Sequence, residues 1–408
     1  MSGAVLTDAP WFRAPELKAV VVALNSGGDM PRIVGGAVRD GLLGLSVADV
    51  DLATTLTPDE VISALEAARI KAVPTGIDHG TITAVSNGKT FEITTLRRDV
   101  STDGRRATVA FSTDWQEDAA RRDFTINALY ADPDSGAVFD YFGGLDDLKA
   151  GKVRFIGDAT ARIAEDHLRI LRYFRFYARF GKSAPNAEAI AACEAAAKSL
   201  MALSRERIAD EVMKLLALPD PSGAVRLMVE HKIFAAFLPE LITNAVERLQ
   251  RLMARENAAG SELNAGRRLS ALLPDDQIVV EQVASRLKLS NKMRVELSTR
   301  TTELSPDSAA AKALAYRHGT EMVTDIFLLQ GANGDWQMGV TALQNWALPV
   351  FPIKGGELVL RGLNAGPLVA KALKAAEQQW IAEGFPDAAR ANAIADQCVA
   401  EILSDKNE

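Results

Sequence analysis

The sequence predicts an α+β protein in which a front part of mixed strands and helices is followed by an all-α remainder. Between Arg32 and Phe142, short β-type runs (RIV, DVDLAT, GTITAV, TFEITTL, AVFDY) alternate with helix-type stretches. From about Ala159 onward the chain is rich in Ala, Leu, Glu and Arg at helical spacing, with almost no strand signal. A length of 408 residues exceeds one ordinary domain, so two or three are expected.

The elements follow in order. RIV, ending at Val34, reads as a short buried strand, and GAVRDGLLG reads as a short helix opened by the pair Gly35-Gly36. Next comes DVDLAT, on which Asp49 and Asp51 flank Val50, so period-two alternation would point both carboxylates to one face of a strand. Thr57-Pro58-Asp59-Glu60 is a capping box, with Thr57 as N-cap, Pro58 in the first turn and Glu60 reaching back, and it opens the helix TPDEVISALEAAR. In RRDFTINALY, the charges Arg121, Arg122 and Asp123 are expected to lead straight into an apolar helix. ARIAEDHLRILRYFRFYARF, from Ala161 to Phe180, reads as one helix. On its wheel Ile163, Ile170, Leu171 and Phe174 share one side, and Glu165, Arg169, Arg172, Arg175 and Arg179 gather on the other. Pro219, Pro221, Gly331 and Gly334 punctuate the helical part, which suggests boundaries near 145, 220 and 330.

Composition narrows the classes of function. Apolar residues make up 48% and charged residues 24%, the balance of a soluble globular chain rather than a disordered or membrane one. No run reaches the length of a membrane span, and the N-terminal stretch lacks the basic-then-apolar layout of a signal peptide, so a cytoplasmic protein is expected. Cys193 and Cys398 are the only cysteines and stand far apart, which excludes a disulfide framework and a cysteine zinc site. A net charge of −7 and a pI near 5.4 argue against indiscriminate coating of nucleic acid. Any RNA contact must come from a local patch. One lies between Lys152 and Lys182, where eight Lys/Arg face three Asp/Glu.

Two features near the front carry chemistry. A Gly pair lets backbone approach a ligand closely, and N–H groups at a helix start attract phosphate, with Arg39 one turn in to add charge. Alone this also fits a tight turn. Asp49 and Asp51 strengthen the phosphate reading, because two close carboxylates are costly unless a cation sits between them. Hard oxygen ligands beside a phosphate site suit Mg²⁺. Competing motifs fail. Gly88-Lys89-Thr90 resembles the end of a P-loop, but Thr83 stands where its first glycine is needed. No dinucleotide fingerprint follows the Gly pair, and His79, His167, His231 and His318 are scattered, which disfavours zinc and His-Asp chemistry.

The set GGAVRD with DVD, then RRDFTINAL, then EDHLRILRYFRF, resembles the bacterial-type tRNA nucleotidyltransferase and poly(A) polymerase family, the class II branch of the polymerase-β-like nucleotidyltransferases. YFGGLDDLKAGKVRFIG (141–157), SRERIADEVMKLL (204–216) and GGELVLRGLNAGPLVAKAL (355–373) extend the likeness over almost the whole chain. The resemblance implies a catalytic nucleotidyltransferase head (1–145), a helical neck with the base-reading helix (146–220), a helical body (221–330) and a tRNA-binding helical tail (331–408). It also implies CTP, ATP and tRNA as partners and Mg²⁺ as cofactor. By position, Asp49 and Asp51 match the metal-binding carboxylates, and Gly36 and Arg39 the triphosphate contacts. Glu92 falls where related enzymes often carry a third acidic residue, although a strand-edge glutamate needs no such role. Arg122, Asp123 and Asn127 match positions that hold phosphate and the ribose face. Asp166 and Arg169 match the base-reading pair, with Glu165 as orienter and Arg172 and Arg175 as further nucleotide contacts.

The base-reading pair also has a physical logic of its own. Three residues apart on a helix, Asp166 and Arg169 would lie one above the other. An ionised Asp only accepts hydrogen bonds and an Arg only donates them. Cytosine and adenine each present an amine beside an unprotonated ring nitrogen, whereas uracil and guanine present the reverse and would leave desolvated groups unpaired. GIDHGTITAV resembles the CCA-adding branch, and the basic strand usual in the family's poly(A) polymerases is missing. The loop from Arg97 to Asp118 departs from the common wording of CCA enzymes, so CC-only or A-only addition stays open beside full CCA addition and poly(A) synthesis. A non-catalytic RNA-binding protein with a degenerate head is the reading from another class, and the intact aspartates and arginine stripe count against it.

Overall fold

The computed structural model describes residues 6, 9–25, 30–103, 106–301, 307–332 and 334–404. The chain forms two compact units, Met1–Pro239 and Glu240–Glu408.

The first unit is built on a seven-stranded sheet. Its strands are β1 (Arg32–Val34), β2 (Asp51–Thr54), β3 (Lys71–Gly76), β4 (Thr81–Ser86) and β5 (Lys89–Thr95), with β8 (Leu129–Ala131) and β9 (Val138–Asp140), in the order β3-β4-β5-β2-β1-β8-β9. A separate hairpin, β6 (Arg97–Asp103) with β7 (Arg106–Phe111), lies between β5 and β8 in the chain. The register of the central strands builds the site. β1 runs antiparallel to β2 with Val34 opposite Asp51, so Gly35 and Gly36 emerge beside the first residue of β2. β5 runs parallel to β2 with Leu52 level with Ile93, which brings Glu92 level with Asp51 on the neighbouring strand. Ile33, Leu52, Ile82 and Ile93 are fully buried and anchor this register.

Helices cover the sheet. α1 (Pro15–Asn25), α2 (Gly36–Leu42) and α3 (Pro58–Ala67) belong to the front part, and α3 opens on the expected capping box of Thr57 and Glu60. α4 (Trp115–Ala120) follows the hairpin, and α5 (Gly144–Ala150) follows β9. Thereafter the described chain is helical: α6 (Ala159–Glu165), α7 (Arg169–Phe180), α8 (Ala187–Ala196), α9 (Arg205–Leu216) and α10 (Ser222–Glu230) complete the unit. Phe124, Phe155, Tyr173 and Phe176 form one aromatic cluster, with ring centroids 4.9 Å apart for Phe124 and Phe155 and 5.2 Å for Phe124 and Phe176. This cluster fixes α7 against the segment that follows Asp123.

Four local expectations need correction. The strand β2 starts at Asp51, and Asp49 lies in the extended segment ahead of it, because strand pairing begins only where Val34 is available as partner. The segment after Asp123 is not a helix but a single 3₁₀ turn (Thr125–Asn127) leading into β8, since Leu129 to Ala131 find ladder partners on β1 and β9. Arg97 to Asp118 is largely the β6–β7 hairpin followed by α4, with Gly104 and Arg105 outside the described residues. The stretch from Ala161 to Phe180 is two helices. Asp166 leaves the helix in an extended conformation (φ −150°, ψ 106°), and its Oδ1 accepts the Leu168 N–H at 3.0 Å. An Asp side chain competing with the helical ladder for a backbone N–H is the physical cause of the break.

The second unit is helical throughout its described residues, from α11 (Ala245–Ala259) and α12 (Ala265–Leu272) through α13 (Gln277–Arg286), α14 (Asn291–Arg300), α15 (Ala311–His318) and α16 (Thr320–Gln330) to the last helix, Ala388–Ser404. A buried ionic network joins α11, α12, α14 and α16: Arg267 meets Glu256 at 2.7 Å and Asp325 at 2.6 Å, Arg268 meets Glu256 at 2.9 Å, and Arg300 meets Asp325 at 2.8 Å. Because each charge has an opposite partner, burial is tolerated and the helix register is fixed. No described helix is long and apolar enough to cross a membrane.

Candidate active site

A cavity of about 940 Å³ in the first unit is lined by residues of β2, β5, α2, α7 and α9 and of the turn after Arg121. It collects Gly36, Arg39, Asp49, Asp51, Glu92, Arg122, Asp123, Asn127, Asp166, Arg169, Arg172 and Arg175. Glu165 is not among its walls. It stands behind Arg169, which it meets at 2.5 Å.

At the end of β1, Gly35 has φ 70°, a left-handed conformation that favours glycine, and a Cβ there would come within 3.4 Å of Arg122 Nη1. The Gly pair thus lets the Arg122 guanidinium lie against the backbone. Arg122 Nε donates to the Tyr130 hydroxyl at 3.2 Å and Nη2 to Asp118 at 3.2 Å, while the Tyr130 hydroxyl donates to Asp118 at 2.7 Å. Burial works against the charge of Arg122, but Tyr130 and Asp118 outweigh it and hold the guanidinium firmly protonated.

Opposite stand the carboxylates. Burial raises the Asp51 pKa from 3.8 to about 6, with Glu92 adding to the rise, Arg122 opposing it and Asp49 adding a smaller push. Among the described residues no three acidic, His or Cys side chains are already drawn together as a metal cage. The excess of negative charge around Asp51 is nevertheless what a bound divalent cation would relieve, and carboxylates with substrate phosphates are the donor set of such a cation.

The wall between sheet and α7 is a ladder of polar bonds. Arg172 Nε donates to Asp123 Oδ2 at 2.7 Å, Asn127 Nδ2 donates to Asp123 Oδ1 at 3.0 Å, and Arg39 Nη1 donates to Asn127 Oδ1. Arg39 Nε continues to Asp40 at 2.7 Å, and Arg179 closes the ladder on Asp40 at 3.0 Å. Arg172 and Arg179 both belong to α7, so the arginine stripe is tied to the front part at two points. Burial alone would raise the pKa of Asp123, but Arg172, Asn127 and the Phe124 N–H outweigh it and keep the carboxylate below its ordinary value. Burial lowers the pKa of Arg39, with Asp40 opposing.

The break between α6 and α7 rearranges the expected base-reading pair. Asp166 and Arg169 are not stacked on one helical face, since Asp166 lies in the break and Arg169 is the first residue of α7, yet both line the cavity. Arg169 donates to Glu165, to the Arg162 carbonyl at 2.9 Å and to the Arg121 carbonyl at 3.1 Å. Asp166 pairs with Arg207 of α9 at 2.7 Å. Arg175 is held by Glu211 of α9 at 2.7 Å.

Sequence reasoning missed Asp118, Tyr130, Arg207 and Glu211. Asp118 carried a signal, because it precedes Arg122 by one helical turn. Glu211 and Arg207 gave only their place in a helix, since their partners lie 36 and 41 residues away.

A Gly pair set against carboxylates at the ends of neighbouring central strands and faced by an arginine wall is an arrangement suited to nucleotidyl transfer. The family model for the poly A polymerase head domain matches residues 31–154, and that for the probable RNA and SrmB-binding site of polymerase A matches 185–244. The human mitochondrial CCA tRNA nucleotidyltransferase 1 is 36% identical over 371 residues, covering 87% of this chain and 83% of the relative. The CCA-adding enzyme of Latilactobacillus sakei is 31% identical over 94% of this chain and 98% of its own length. The crystal structure of the Bacillus stearothermophilus CCA-adding enzyme with CTP superimposes with a TM-score of 0.77 at 27% identity, over 98% of this chain and all of that one. The chain belongs to the bacterial-type tRNA nucleotidyltransferase and poly(A) polymerase family, within which these relatives are CCA-adding enzymes.

Proposed function

We propose that the protein adds C and A nucleotides to the 3′ end of tRNA from CTP and ATP without a template, releasing pyrophosphate. The observation that carries this reading is the single cavity that joins the carboxylates of the central strands to the arginine wall of α7. Asp49 and Asp51, with Glu92 level with Asp51, would hold Mg²⁺, which when bound supplies charge for activating the 3′-hydroxyl and for stabilising the leaving pyrophosphate.

This chain's own residues do the rest. Arg122, braced by Asp118 and Tyr130, and Arg39, braced by Asp40, present donors to the triphosphate where Gly35 and Gly36 leave the backbone open. Asp123 and Asn127 face the ribose, with Arg172 keeping Asp123 ionised and oriented. Asp166 supplies the acceptor and Arg169 the donor that admit cytosine and adenine and leave uracil and guanine unmatched. Glu165 holds the Arg169 fork, which fixes its donors before a base arrives. The division into head, neck, body and tail assigns tRNA binding to the tail, residues 331–408, and buried, unpaired Cys193 and Cys398 fit the cytoplasmic location expected from the sequence.

Incubation of the protein with tRNA ending at the discriminator base, Mg²⁺, CTP and ATP, read on a sequencing gel, tests the proposal. Three added residues in the order C, C, A support it. Growth of a long A tail, or arrest after CC or after a single A on a CC end, would reassign the chain to another member of the same family. Binding of tRNA without any metal-dependent incorporation would leave a non-catalytic RNA-binding protein.

A further inference from the structure

We infer that Arg207 is a positioning residue for base selection, holding Asp166 in the orientation in which its carboxylate meets the incoming base. The inference rests on the base-reading role proposed above for Asp166 and Arg169. It starts from the helix break. Asp166 has left the ladder of α6 and has an extended backbone, so no helical turn packs its side chain into place. Two bonds do this instead. Oδ1 accepts the Leu168 N–H at 3.0 Å, and Oδ2 accepts from Arg207 Nη2 at 2.7 Å. The two side chains are about a third exposed, 31% and 28%, and both residues line the cavity.

A carboxylate offers about four lone-pair sites. With one site on each oxygen already filled, one on each remains for a base. The donor of the reading pair is held in the same manner from its other side, because Arg169 is fixed by Glu165 and by the carbonyls of Arg162 and Arg121. Each reading group therefore has its own opposite charge behind it: Glu165 serves Arg169, and Arg207 serves Asp166. The remaining arginines of α7 that line the cavity have other partners, Arg172 on Asp123 and Arg175 on Glu211.

Rigidity matters here because rejection, unlike acceptance, depends on the carboxylate being unable to move. A cytosine amine draws Asp166 toward itself whether or not Arg207 is present. A uracil carbonyl repels it, and the repulsion becomes a barrier only if the side chain cannot swing away. Without Arg207 a single N–H holds Asp166, and the penalty on uracil falls further than the gain from cytosine.

The test compares kcat/KM for CTP and for UTP on tRNA ending at the discriminator base, in the full chain and in Arg207→Gln, Arg207→Lys and Asp166→Asn. Arg207→Gln is expected to lower the CTP-to-UTP ratio by about tenfold or more, the effect of one charge-assisted hydrogen bond. Arg207→Lys, which keeps the cation, should restore the ratio to within about threefold of the parent. Arg207→Met is the second neutral variant; it keeps an unbranched aliphatic side chain without the charge and must lower the ratio alike, and melting temperatures identify any variant that has lost its fold. An equal fall in kcat/KM for CTP and UTP would overturn the inference and make Arg207 a phosphate or tRNA contact. A gain in CTP affinity on removing Arg207 would overturn it too, by showing that Arg207 blocks Asp166. If Asp166→Asn lowers the ratio and the neutral Arg207 variants do not, the positioning role alone falls. If Asp166→Asn leaves the ratio unchanged, base reading by Asp166 falls and the role of Arg207 with it.

Discussion

Replacing Asp51 with Asn should abolish nucleotide addition and at the same time stabilise the metal-free protein. The Asp51 carboxyl is raised from 3.8 to about 6, first by burial and then by Glu92 and Asp49. An acid whose pKa is higher in the folded state binds its proton more tightly there, so its contribution favours folding below the unfolded value and is lost as pH rises toward 6. At neutral pH the ionised group then costs the metal-free fold at most about 3 kcal/mol, at ~1.4 kcal/mol for each pH unit between the two values. Asp51 is partly exposed, and solvent screening reduces this to roughly 1–2 kcal/mol. Asn has the same shape without the charge. In EDTA at pH 7, Asp51→Asn should therefore melt roughly 2–8 °C above the parent. The gain should shrink below pH 6 and vanish near pH 4, where the parent carboxyl is protonated as well. Adding Mg²⁺ should raise the melting temperature of the parent and have little effect on the variant. Thermal melts across pH with EDTA or Mg²⁺, beside a gel assay of nucleotide addition, provide the readout. A variant that melted at or below the parent at pH 7 in EDTA would refute the clustered-charge reasoning, and robust incorporation by Asp49→Asn/Asp51→Asn would refute the metal role.

Three further outcomes are expected. Asp166→Asn should slow CTP and ATP addition by about 1.5–3 kcal/mol and allow measurable UTP incorporation, with metal dependence as in the parent; full retention of base preference would end the base-reading assignment. Arg172→Ala should raise the apparent KM for both nucleotides, and because it strands the buried Asp123 carboxylate it should also lower stability by about 3 kcal/mol; Asp123→Asn in the same background should recover most of that stability but not the KM, a coupling read by a double-mutant cycle of melts and kinetics. Tyr130→Phe removes the hydroxyl shared by Asp118 and Arg122 and should cost about 1–2 kcal/mol of stability together with a several-fold rise in nucleotide KM; an unchanged KM would show that the brace on Arg122 has no bearing on the triphosphate.

The sequence by itself determined the α+β architecture, the helical second part, the capping box at Thr57 and nearly all the side chains that line the cavity. Those features are local. A capping box spans one turn, strand and helix periods repeat within a few residues, and the motifs GGAVRD, DVD, RRDFTINAL and EDHLR each keep their chemistry within a short segment. Tertiary structure decided how the segments meet. The pairing of Val34 with Asp51 and of Leu52 with Ile93 sets the Gly pair and Glu92 beside the aspartate, and strand register is a long-range choice made by burial. The turn after Asp123 could not be told from a helix, because Leu129 to Ala131 become a strand only when β1 and β9 offer ladder partners. The break at Asp166 carries no Gly or Pro to announce it. It arises because one Asp oxygen takes the Leu168 N–H while the other is claimed by Arg207, from a helix 41 residues further along the chain. A helical wheel assumes that backbone bonds continue unchallenged, and here two side chains brought together by folding override that assumption.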